Sequence, residues 1–364
     1  MVSAEDDVTF MERALLLGER GRGRTSPNPW VGAVVVRPDG VVVGHGTTEA
    51  PGGRHAEIVA LDEAGDQARG STLYCTLEPC SHVGRTAPCV ERIVAAGVRR
   101  VVAAVADPNP LVSGTGITYL REHGVVVSED VAREAASRQH AAFFTWIRTG
   151  RPFVIAKVAV SHDGFVSGPA GPVRLTGPIA DRYLHRERAE VDAIAVGSGT
   201  ILADDPRLTA RVAYRGRPLV RVVFDWRGRL SPTARVFSTL AAGPVIMVVL
   251  AGGGDARAQK LRSLRDAGVT VVEYAERNLA DVLRWLGGRG VTSLLVEGGP
   301  ALHGAFMDAR LVDRTQIVTA PVMLGSGVRS RLTDADGTRR TVLLGNDLLV
   351  EADVHGTGRD YRTH

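Results

Sequence analysis

Apolar and polar positions alternate along this 364-residue chain in blocks that predict helices and strands in turn. Between residues 8 and 20, apolar positions recur at the spacing of an amphipathic helix. The stretch WVGAVVVRPDGVVVGHG then predicts two strands joined by a Pro-Asp-Gly turn. Farther on, AEIVALDEAG, PCVERIVAAGV and GITYLREHG predict helices, while STLYCTL, RRVVAAVAD and VVVSED predict strands. This alternation is typical of an α/β fold whose sheet is covered on both faces.

The pattern is interrupted at RTGRPF, where Gly150 and Pro152 end the preceding helical stretch. Beyond it, strands such as FVIAKVAV, AIAVG, LVRVVFD, PVIMVVL, SLLVEGG and RTQIVTAP alternate with helices such as ADRYLHRERAEV, ARAQKLRSLRDAG and ALHGAFMDARLV. The small residues of VGSGT predict a turn, and no element is predicted after RTQIVTAP. We therefore predict two α/β domains, residues 1–147 and 148–364, without an internal repeat.

Composition and charge narrow the class of protein. Hydrophobic residues make up 44% of the chain, enough for ordinary cores, but no apolar run approaches the roughly 20 residues that cross a bilayer. The acidic opening MVSAEDDVTF does not look like a signal peptide, so we expect a cytoplasmic protein without membrane contact. Residues 1–147 carry a net charge of −4 and residues 148–364 carry +8. A basic second half suits phosphorylated ligands, whereas a nucleic-acid binder usually shows denser basic clusters.

The three cysteines lie within fifteen positions, in the stretch from Cys75 to Cys89. An odd number of clustered thiols favours metal binding over disulfides. Cys75 is expected in a buried strand, while His55, Cys80 and Cys89 form a ligand set for a catalytic zinc ion with an open fourth position. Glu57 is placed to reach water at that position without being a ligand, as the general acid and base.

The order H-x-E, then P-C, is typical of zinc-dependent nucleobase deaminases. Here eight residues separate the two cysteine ligands instead of two, and the inserted SHVGRTAP offers His82, Arg85 and Thr86 to a substrate other than an isolated base. The alternatives are a structural zinc site with His82 as fourth ligand, buried cysteines beside a chance histidine, and a noncatalytic protein that zinc stabilises.

In the second half, VGSGTILADDPRLTAR and LLVEGGPALHGAF carry glycine turns that suit a phosphate where a helix begins. Ordinary turn glycines explain either stretch equally well. The chain has only two lysines among 44 basic residues, so Lys157 attracts attention in a predicted strand, although a strand lysine without a role is the alternative.

Taken together, these motifs resemble the bifunctional riboflavin-biosynthesis deaminase/reductases nearly end to end. TSPNPWVGAVVV, HAE, TLEPCSHVGRTAPC and DPNP carry the resemblance in the first half, and TGRPFVIAKVAVSHDG, LTGPIADRYLHRERAEVDAIAVGSGTILADDPRLTAR and VEGGP carry it in the second. It implies a cytidine-deaminase-like three-layer αβα domain followed by a dihydrofolate-reductase-like α/β domain that uses NADPH.

The resemblance also implies site residues. Asn28 and His82 would contact the pyrimidine. Residues facing the ribosylamino substrate of the reductase would be Lys157, Asp163, Arg188, Leu208, Arg211 and Glu297, with Arg188 and Arg211 pairing with its phosphate. Residues facing NADPH would be Ala159, Arg174, Thr176, Thr200, Asp204 and the backbone from Gly299 onward.

The implied activity is deamination of a phosphoribosylamino-pyrimidine followed by reduction of its ribosyl group. Four positions depart from the family pattern: Thr48, Phe165, Arg174 and Trp226. The last three lie on the expected cofactor side, so a zinc deaminase with a lost or altered reductase, in a specialised pathway, is an alternative. A deaminase that edits nucleic acid is another, which the acidic first domain disfavours. Apolar helices in the second domain favour a homo-oligomer.

Overall fold

The structure, a computed structural model, describes residues 4–82, 87–110, 112–210, 216–333 and 337–354. The chain divides into two compact units, Met1–Gly150 and Arg151–His364. The predicted limit after residue 147 falls instead inside a helix, Ala141–Thr149, which ends where Gly150 adopts a left-handed conformation with φ of 68°. No helix in the described ranges is long and apolar enough to span a membrane.

The first unit contains a five-stranded sheet and six α-helices among the described residues. In chain order the elements are α1 (Ala4–Gly18), β1 (Gly32–Val36), β2 (Val42–Thr47), α2 (Ala56–Ala64), β3 (Thr72–Cys75), α3 (Cys89–Ala95), β4 (Arg100–Ala103), α4 (Thr115–Glu122), β5 (Val126–Glu129), α5 (Arg133–Gln139) and α6 (Ala141–Thr149), with short 3₁₀ turns at Glu19–Gly21 and Gly65–Ala68. The strand order is β2-β1-β3-β4-β5. Strands β3, β4 and β5 run parallel, and β1 is antiparallel to both of its neighbours.

Helices cover both faces of this sheet, and glycines allow two of them to lie directly on the strands. A Cβ atom on Gly32 of β1 would lie 1.8 Å from the carbonyl oxygen of Ala14 in α1. On the opposite face, a Cβ on Gly46 of β2 would lie 1.8 Å from the carbonyl oxygen of Ala56 in α2. The sequence-based expectation of a three-layer αβα domain is therefore confirmed.

The second unit is built on a nine-stranded sheet. Its elements are β6 (Phe153–Ser161), β7 (Phe165–Ser167), α7 (Pro178–Glu190), β8 (Ala193–Gly197), α8 (Ser198–Asp204), β9 (Val220–Phe224), β10 (Val245–Leu250), α9 (Asp255–Asp266), β11 (Thr270–Tyr274), α10 (Leu279–Gly287), β12 (Ser293–Val296), α11 (Pro300–Asp308), β13 (Arg314–Ala320), β14 (Val328–Arg329), β15 (Arg339–Leu344) and β16 (Asp347–Asp353), with a 3₁₀ segment at Phe237–Ala242.

The strand order of this sheet is β11-β10-β9-β8-β12-β6-β13-β16-β15. The first seven strands are parallel, and the last two form an antiparallel edge, while β7 and β14 pair separately. Central strands such as β8 and β12 are almost wholly buried, as parallel strands between helices require. This α/β architecture agrees with the prediction.

Two sequence-based expectations about elements were wrong. Within VGSGT, the first two residues end β8, and the last three begin a short helix, α8, where a turn was predicted. Strands β14, β15 and β16 follow the last element that we predicted. Strand β15 lies at the sheet edge with mostly exposed side chains, so it lacks the apolar alternation that identifies a half-buried strand.

Candidate active sites

Three segments of the first unit bring metal-binding side chains together. His55 lies at the N-cap of α2, Cys80 in the loop after β3, and Cys89 at the first residue of α3. Nδ1 of His55 lies 3.5 Å from Sγ of Cys80 and 3.3 Å from Sγ of Cys89, and the three donor atoms lie within 4.8 Å of one another. Tetrahedral zinc with ordinary bond lengths places nitrogen and sulfur ligands roughly 3.5 Å apart, so the donor set fits zinc.

Among the described residues, this is the one group of three or more His, Cys, Asp or Glu side chains that could hold a metal ion, and it contains no fourth protein ligand. The arrangement matches a catalytic zinc site, which keeps one position open, better than a structural site, which closes all four. His82 does not join the donor group. The alternative of a structural site with His82 as fourth ligand is therefore not supported.

The pKa values of the two cysteine ligands are shifted in opposite directions. A hydrogen bond with Cys89, together with one to His55, lowers the pKa of Cys80 to about 4 and favours its thiolate. The same interaction with Cys80, together with burial, raises the pKa of Cys89. A hydrogen bond to Cys80 raises the pKa of His55 to about 9. Metal binding to such a set must displace the protons on Cys89 and His55.

Glu57 lies in the first turn of α2, close to the donor group but outside it. Its side chain is buried, and burial raises the pKa of its carboxyl group, while the charge of His55 opposes that rise. A raised pKa makes the carboxyl group a better proton acceptor and keeps its acid form available, which suits a general acid and base.

A cavity of about 350 Å³ opens in front of these residues. His55, Glu57 and Cys80 lie on its wall, and so do Asn28 and His82, the two residues predicted to contact the pyrimidine. Nδ1 of His82 is buried and has no hydrogen-bond partner among the described residues. Arg85 and Thr86 lie outside the described ranges.

The rest of this cavity wall contains residues that sequence reasoning missed. They are Asp107, Asn109 and Val112 from the loop after β4, and Phe143, Trp146 and Ile147 from α6. The DPNP motif pointed to the first two, but it gave no physical reason for their role. Burial raises the pKa of Asp107 to about 6. The aromatic residues of α6 could not be distinguished from core residues by their spacing alone.

In the second unit, Lys157, Arg188 and Glu297 form a buried charged cluster between β6, α7 and the end of β12. Nε of Arg188 donates to Oε1 of Glu297 at 2.9 Å, and Nη2 donates to Oε2. Nζ of Lys157 lies 3.9 Å from Oε1 of Glu297. Burial opposes ionisation of Glu297, but Lys157 and Arg188 outweigh it and lower its pKa to about 2. Burial lowers the pKa of Lys157.

Two residues that were predicted to face the reductase substrate have partners within the protein. One edge of the Arg188 guanidinium, Nε and Nη2, engages Glu297, and the pairing of this residue with the substrate phosphate stays a prediction. The carboxylate of Asp163 accepts hydrogen bonds from the Ser161 hydroxyl and from the backbone N–H groups of Leu324 and Gly325. It therefore shapes a turn. Leu208 is buried with φ of 55°. Arg211 lies outside the described ranges.

The predicted cofactor residues form smaller groups. Arg174 and Thr176 both donate to Asp181, a residue in the first turn of α7 that the sequence did not single out. Thr200 in α8 faces the glycine turn, since its Oγ1 would lie 3.9 Å from a Cβ on Gly299. Ala159 lies on β6, and burial raises the pKa of Asp204 at the end of α8.

A second cavity, of about 680 Å³, opens beside α8, α11 and the carboxyl ends of β8 and β9. Trp226, Arg227, Arg229 and Arg277 line it together with Gly197–Gly199. Nη2 of Arg229 donates to the hydroxyl of Ser198 at 2.8 Å. In parallel α/β sheets, ligands bind at the carboxyl ends of the strands.

Comparison with known proteins identifies a protein family for each unit. Residues 4–105 match the family profile of the cytidine and deoxycytidylate deaminase zinc-binding region, and residues 152–353 match that of the RibD C-terminal domain. A relative from Aquifex aeolicus, the riboflavin biosynthesis protein RibD, is 38% identical over 89% of each chain. This chain belongs to the RibD family.

Other members of the RibD family are also similar to this chain, in sequence or in structure. The RibD protein of Escherichia coli K12 is 38% identical over 90% of this chain and 91% of its own. A diaminohydroxyphosphoribosylaminopyrimidine deaminase/5-amino-6-(5-phosphoribosylamino)uracil reductase from Thermotoga maritima superposes with a TM-score of 0.83 at 33% identity, covering 96% of this chain and 99% of its own. A RibD structure from Acinetobacter baumannii gives a TM-score of 0.82 at 32% identity with the same coverage.

Membership in the RibD family confirms four expectations from the sequence: the two-part fold, an enzyme with deaminase and reductase domains, a role in riboflavin biosynthesis, and zinc and NADPH as cofactors. The individual substrate and cofactor contacts stay predictions.

Proposed function

We propose that this chain catalyses two consecutive steps of riboflavin biosynthesis. The first is the hydrolytic deamination of 2,5-diamino-6-(5-phosphoribosylamino)pyrimidin-4-one. The second is the reduction of the ribosyl group of 5-amino-6-(5-phosphoribosylamino)uracil to ribityl by NADPH. The observation that supports the first step most directly is the three-ligand group of His55, Cys80 and Cys89 beside a buried Glu57 that is not a ligand.

In the deaminase, water replaces the amino group at C2 of the pyrimidine ring, and ammonia leaves. Zinc bound by the three ligands supplies Lewis-acid activation of water. Glu57 takes a proton from the water and delivers a proton to the departing nitrogen, so one carboxyl group serves as base and then as acid. Asn28 and His82 orient the ring from the cavity wall.

In the reductase, the C1′–O4′ bond of the ribosylamine breaks, a hydride adds to C1′ and a proton goes to O4′. NADPH supplies the hydride. For this proton transfer the second unit offers a buried group of ionisable side chains, Lys157, Arg188 and Glu297. Lys157 is the proton donor in this proposal, because burial lowers the pKa of its ammonium group and so eases proton release. Glu297 holds both cations in place.

The glycine turn before α11 and the larger cavity support the position of the cofactor. A dinucleotide that places its nicotinamide near Lys157 and its phosphates at Gly299 can extend its adenosine end into the cavity of Trp226, Arg227 and Arg277. The arginines suit a 2′-phosphate, and the indole suits an adenine ring. Arg174 and Thr176 remain proposed cofactor residues through their shared partner Asp181.

This cofactor position predicts a selective loss of affinity. The double variant Arg227→Ala/Arg277→Ala should weaken NADPH binding by about tenfold or more and change NADH binding little, because only NADPH carries the 2′-phosphate. Titration calorimetry with each nucleotide measures both, and Arg262→Ala on the exposed side of α9 is the control. Equal losses for both nucleotides would contradict the assignment of the arginines.

Mass spectrometry of products tests the two reactions together. Without NADPH, the diaminopyrimidine substrate should lose one amino group in exchange for oxygen. With NADPH, the product should also gain two hydrogens. Deamination without the second change would favour the alternative in which the reductase is altered, to which Phe165, Arg174 and Trp226 point. Phe165 is buried under the guanidinium of Arg329, which lies 4.4 Å from the ring centre.

We propose that the enzyme acts in the cytoplasm as a homo-oligomer and does not bind nucleic acid. The acidic first half disfavours binding of a polyanion, and a small phosphorylated substrate does not require one. Tight and salt-sensitive tRNA binding would instead support an editing deaminase.

A further inference from the structure

One buried carboxylate of the first unit takes part in neither proposed reaction. Glu78 is 3% exposed and lies between β3 and the zinc ligand Cys80. Its Oε2 accepts hydrogen bonds from the backbone N–H groups of Asp107 at 3.2 Å and Gly114 at 3.1 Å. Its Oε1 accepts from those of Gly116 at 3.1 Å and Ile117 at 3.3 Å.

Four backbone donors fill the acceptor capacity of one carboxylate, which has about four lone-pair positions. Glu78 lines the cavity, yet its oxygens are already occupied by the protein. It therefore has no lone pair left for a substrate group. Its backbone is fixed as well, because its N–H donates to the carbonyl oxygen of Val105 at 2.9 Å.

The segment that Glu78 holds forms one wall of the cavity. Within residues 107–110 and 112–114, called the 107–114 wall below, the side chains of Asp107, Asn109 and Val112 face the space in front of the metal ligands. Oδ1 of Asp107 accepts from the backbone N–H of Asn109 at 2.8 Å, so these two residues form one turn. Glu78 binds both ends of this segment, at Asp107 and at Gly114.

Two glycines make this attachment possible. Gly114 has φ of 76°, a conformation that glycine adopts at little cost, and it presents its N–H to Glu78 just before α4 begins. Gly116 lies against the metal-binding motif, since a Cβ atom there would lie 2.0 Å from the carbonyl oxygen of Pro79. The start of α4 and the residue next to Cys80 are thus in direct contact.

We propose that Glu78 is a positioning residue of the deaminase, which fixes the 107–114 wall at a set distance from Cys80 and thereby determines affinity for the pyrimidine substrate. This inference rests on the proposed deaminase function. Because Asp107 and Asn109 depend on Glu78 for their position, loss of its carboxylate acts on substrate binding and not on proton transfer by Glu57.

The first test is Glu78→Gln in the full-length enzyme. The amide keeps the size of the side chain but turns one acceptor atom into a donor that faces two backbone N–H groups. The KM for deamination should rise by about tenfold or more while kcat stays within about threefold, which is the signature of lost binding in ground and transition state alike. Zinc content should remain one ion per chain, as measured by atomic absorption.

Three controls accompany this variant. Glu122→Gln changes an exposed carboxylate at the other end of the same helix and should leave KM unchanged. Reductase activity on the deaminated substrate, in the same protein sample, reports damage outside the first unit. Hydrogen exchange at the amides of residues 107, 114, 116 and 117 should accelerate in Glu78→Gln, because these are the donors that lose their acceptor.

A second variant tests the same wall with Glu78 intact. Gly116→Ala forces a methyl group against Pro79 and moves the start of α4 away from the motif. It should raise KM in the same way. An unchanged KM in both variants, or a lower kcat at constant KM, would overturn the inference, and so would loss of zinc in both, since Glu78 would then support the metal loop instead of the wall. A wild-type enzyme without deaminase activity would instead refute the proposed function.

Discussion

Glu57 gains its chemical value from where the chain places it. The residue follows His55 by two positions, so the start of α2 delivers a ligand and a carboxyl group to the same cavity. Burial raises the pKa of that carboxyl, and the protein leaves it outside the donor group. The first turn of α2 thus assigns metal binding to one residue, His55, and proton transfer to another, Glu57.

This separation predicts the behaviour of Glu57→Gln. Deamination should fall by about a hundredfold to ten-thousandfold, the usual contribution of a general acid and base. Zinc content should not change, because the side chain is not a ligand. Product analysis and metal analysis measure the two quantities. Unchanged deamination would point to a noncatalytic, zinc-stabilised protein.

At Glu297, one carboxylate balances two buried cations. Its side chain is 8% exposed, and those of Lys157 and Arg188 are 11% and 19% exposed. Removal of one partner from such a cluster leaves charge without compensation in a poorly solvated place.

Glu297→Gln should therefore destabilise the second unit by about 3–5 kcal/mol and reduce reductase activity. Urea unfolding followed by pulsed hydrogen exchange of β6 and β12 peptides reports the stability of that unit. Glu276→Gln, an exposed carboxylate in the loop after β11, is the matched control. A stability equal to that of the control would mean that water or a ligand compensates the cations.

At the scale of elements, His140 joins α5 to α6 and is fully buried. Its Nε2 lies 3.1 Å from the hydroxyl of Thr76, beside the end of β3. Burial lowers the pKa of His140 to about 4, below the value of 6.5 for a free histidine. As pH falls through this window, the unfolded chain binds a proton that the folded chain does not, so the folded state loses stability.

The full shift corresponds to about 3 kcal/mol, since one pKa unit is worth about 1.4 kcal/mol. His140→Gln removes this group, so the stability advantage of the wild type over the variant should shrink, or reverse, between about pH 7 and about pH 4.5. Urea titrations at both pH values, read from β1 peptides, measure the difference. A constant difference would show that His140 keeps an ordinary pKa in the folded protein.

Most elements could be predicted because their apolar spacing is strong. Strands such as β10 and helices such as α1 have the expected period and length, although α1 begins four residues before the predicted helix. Strand β15 and helix α8 could not be predicted. An exposed edge strand has no apolar face, and α8 has only seven residues and opens with Ser-Gly, which resembles a turn. For the zinc site, local chemistry was enough: His55, Cys80 and Cys89 are recognisable by type and order.

The reductase site was harder to predict because its partners are far apart in the chain. The contact of Arg188 with Glu297 joins residues 109 positions apart, and no local pattern announces it. The resemblance implied a phosphate partner for Arg188, and the structure adds a carboxylate partner, Glu297, that no motif predicted. Glu78 was hidden for a related reason: its partners are backbone N–H groups, which carry no sequence signal.

For the whole molecule, the division into two units predicts separable activities. Each unit has its own core and its own cavity, and the metal ligands all belong to the first. Removal of zinc with a chelator should abolish deamination and leave at least about half of the reductase activity, because no ligand lies in the second unit among the described residues. Assays of each step on its own substrate, before and after zinc is restored, provide the measurement. Parallel loss of both activities would show that the metal supports the whole chain.

The contact of Gly46 with α2 reaches beyond the packing of one strand. This glycine sits on the outermost strand of the first sheet and supports, from behind, the residue that directly follows His55. A single added methyl group would push the helix outward and carry the imidazole with it. A side chain at position 46 would therefore disturb the metal site, although Gly46 itself has no side chain to contribute to the cavity.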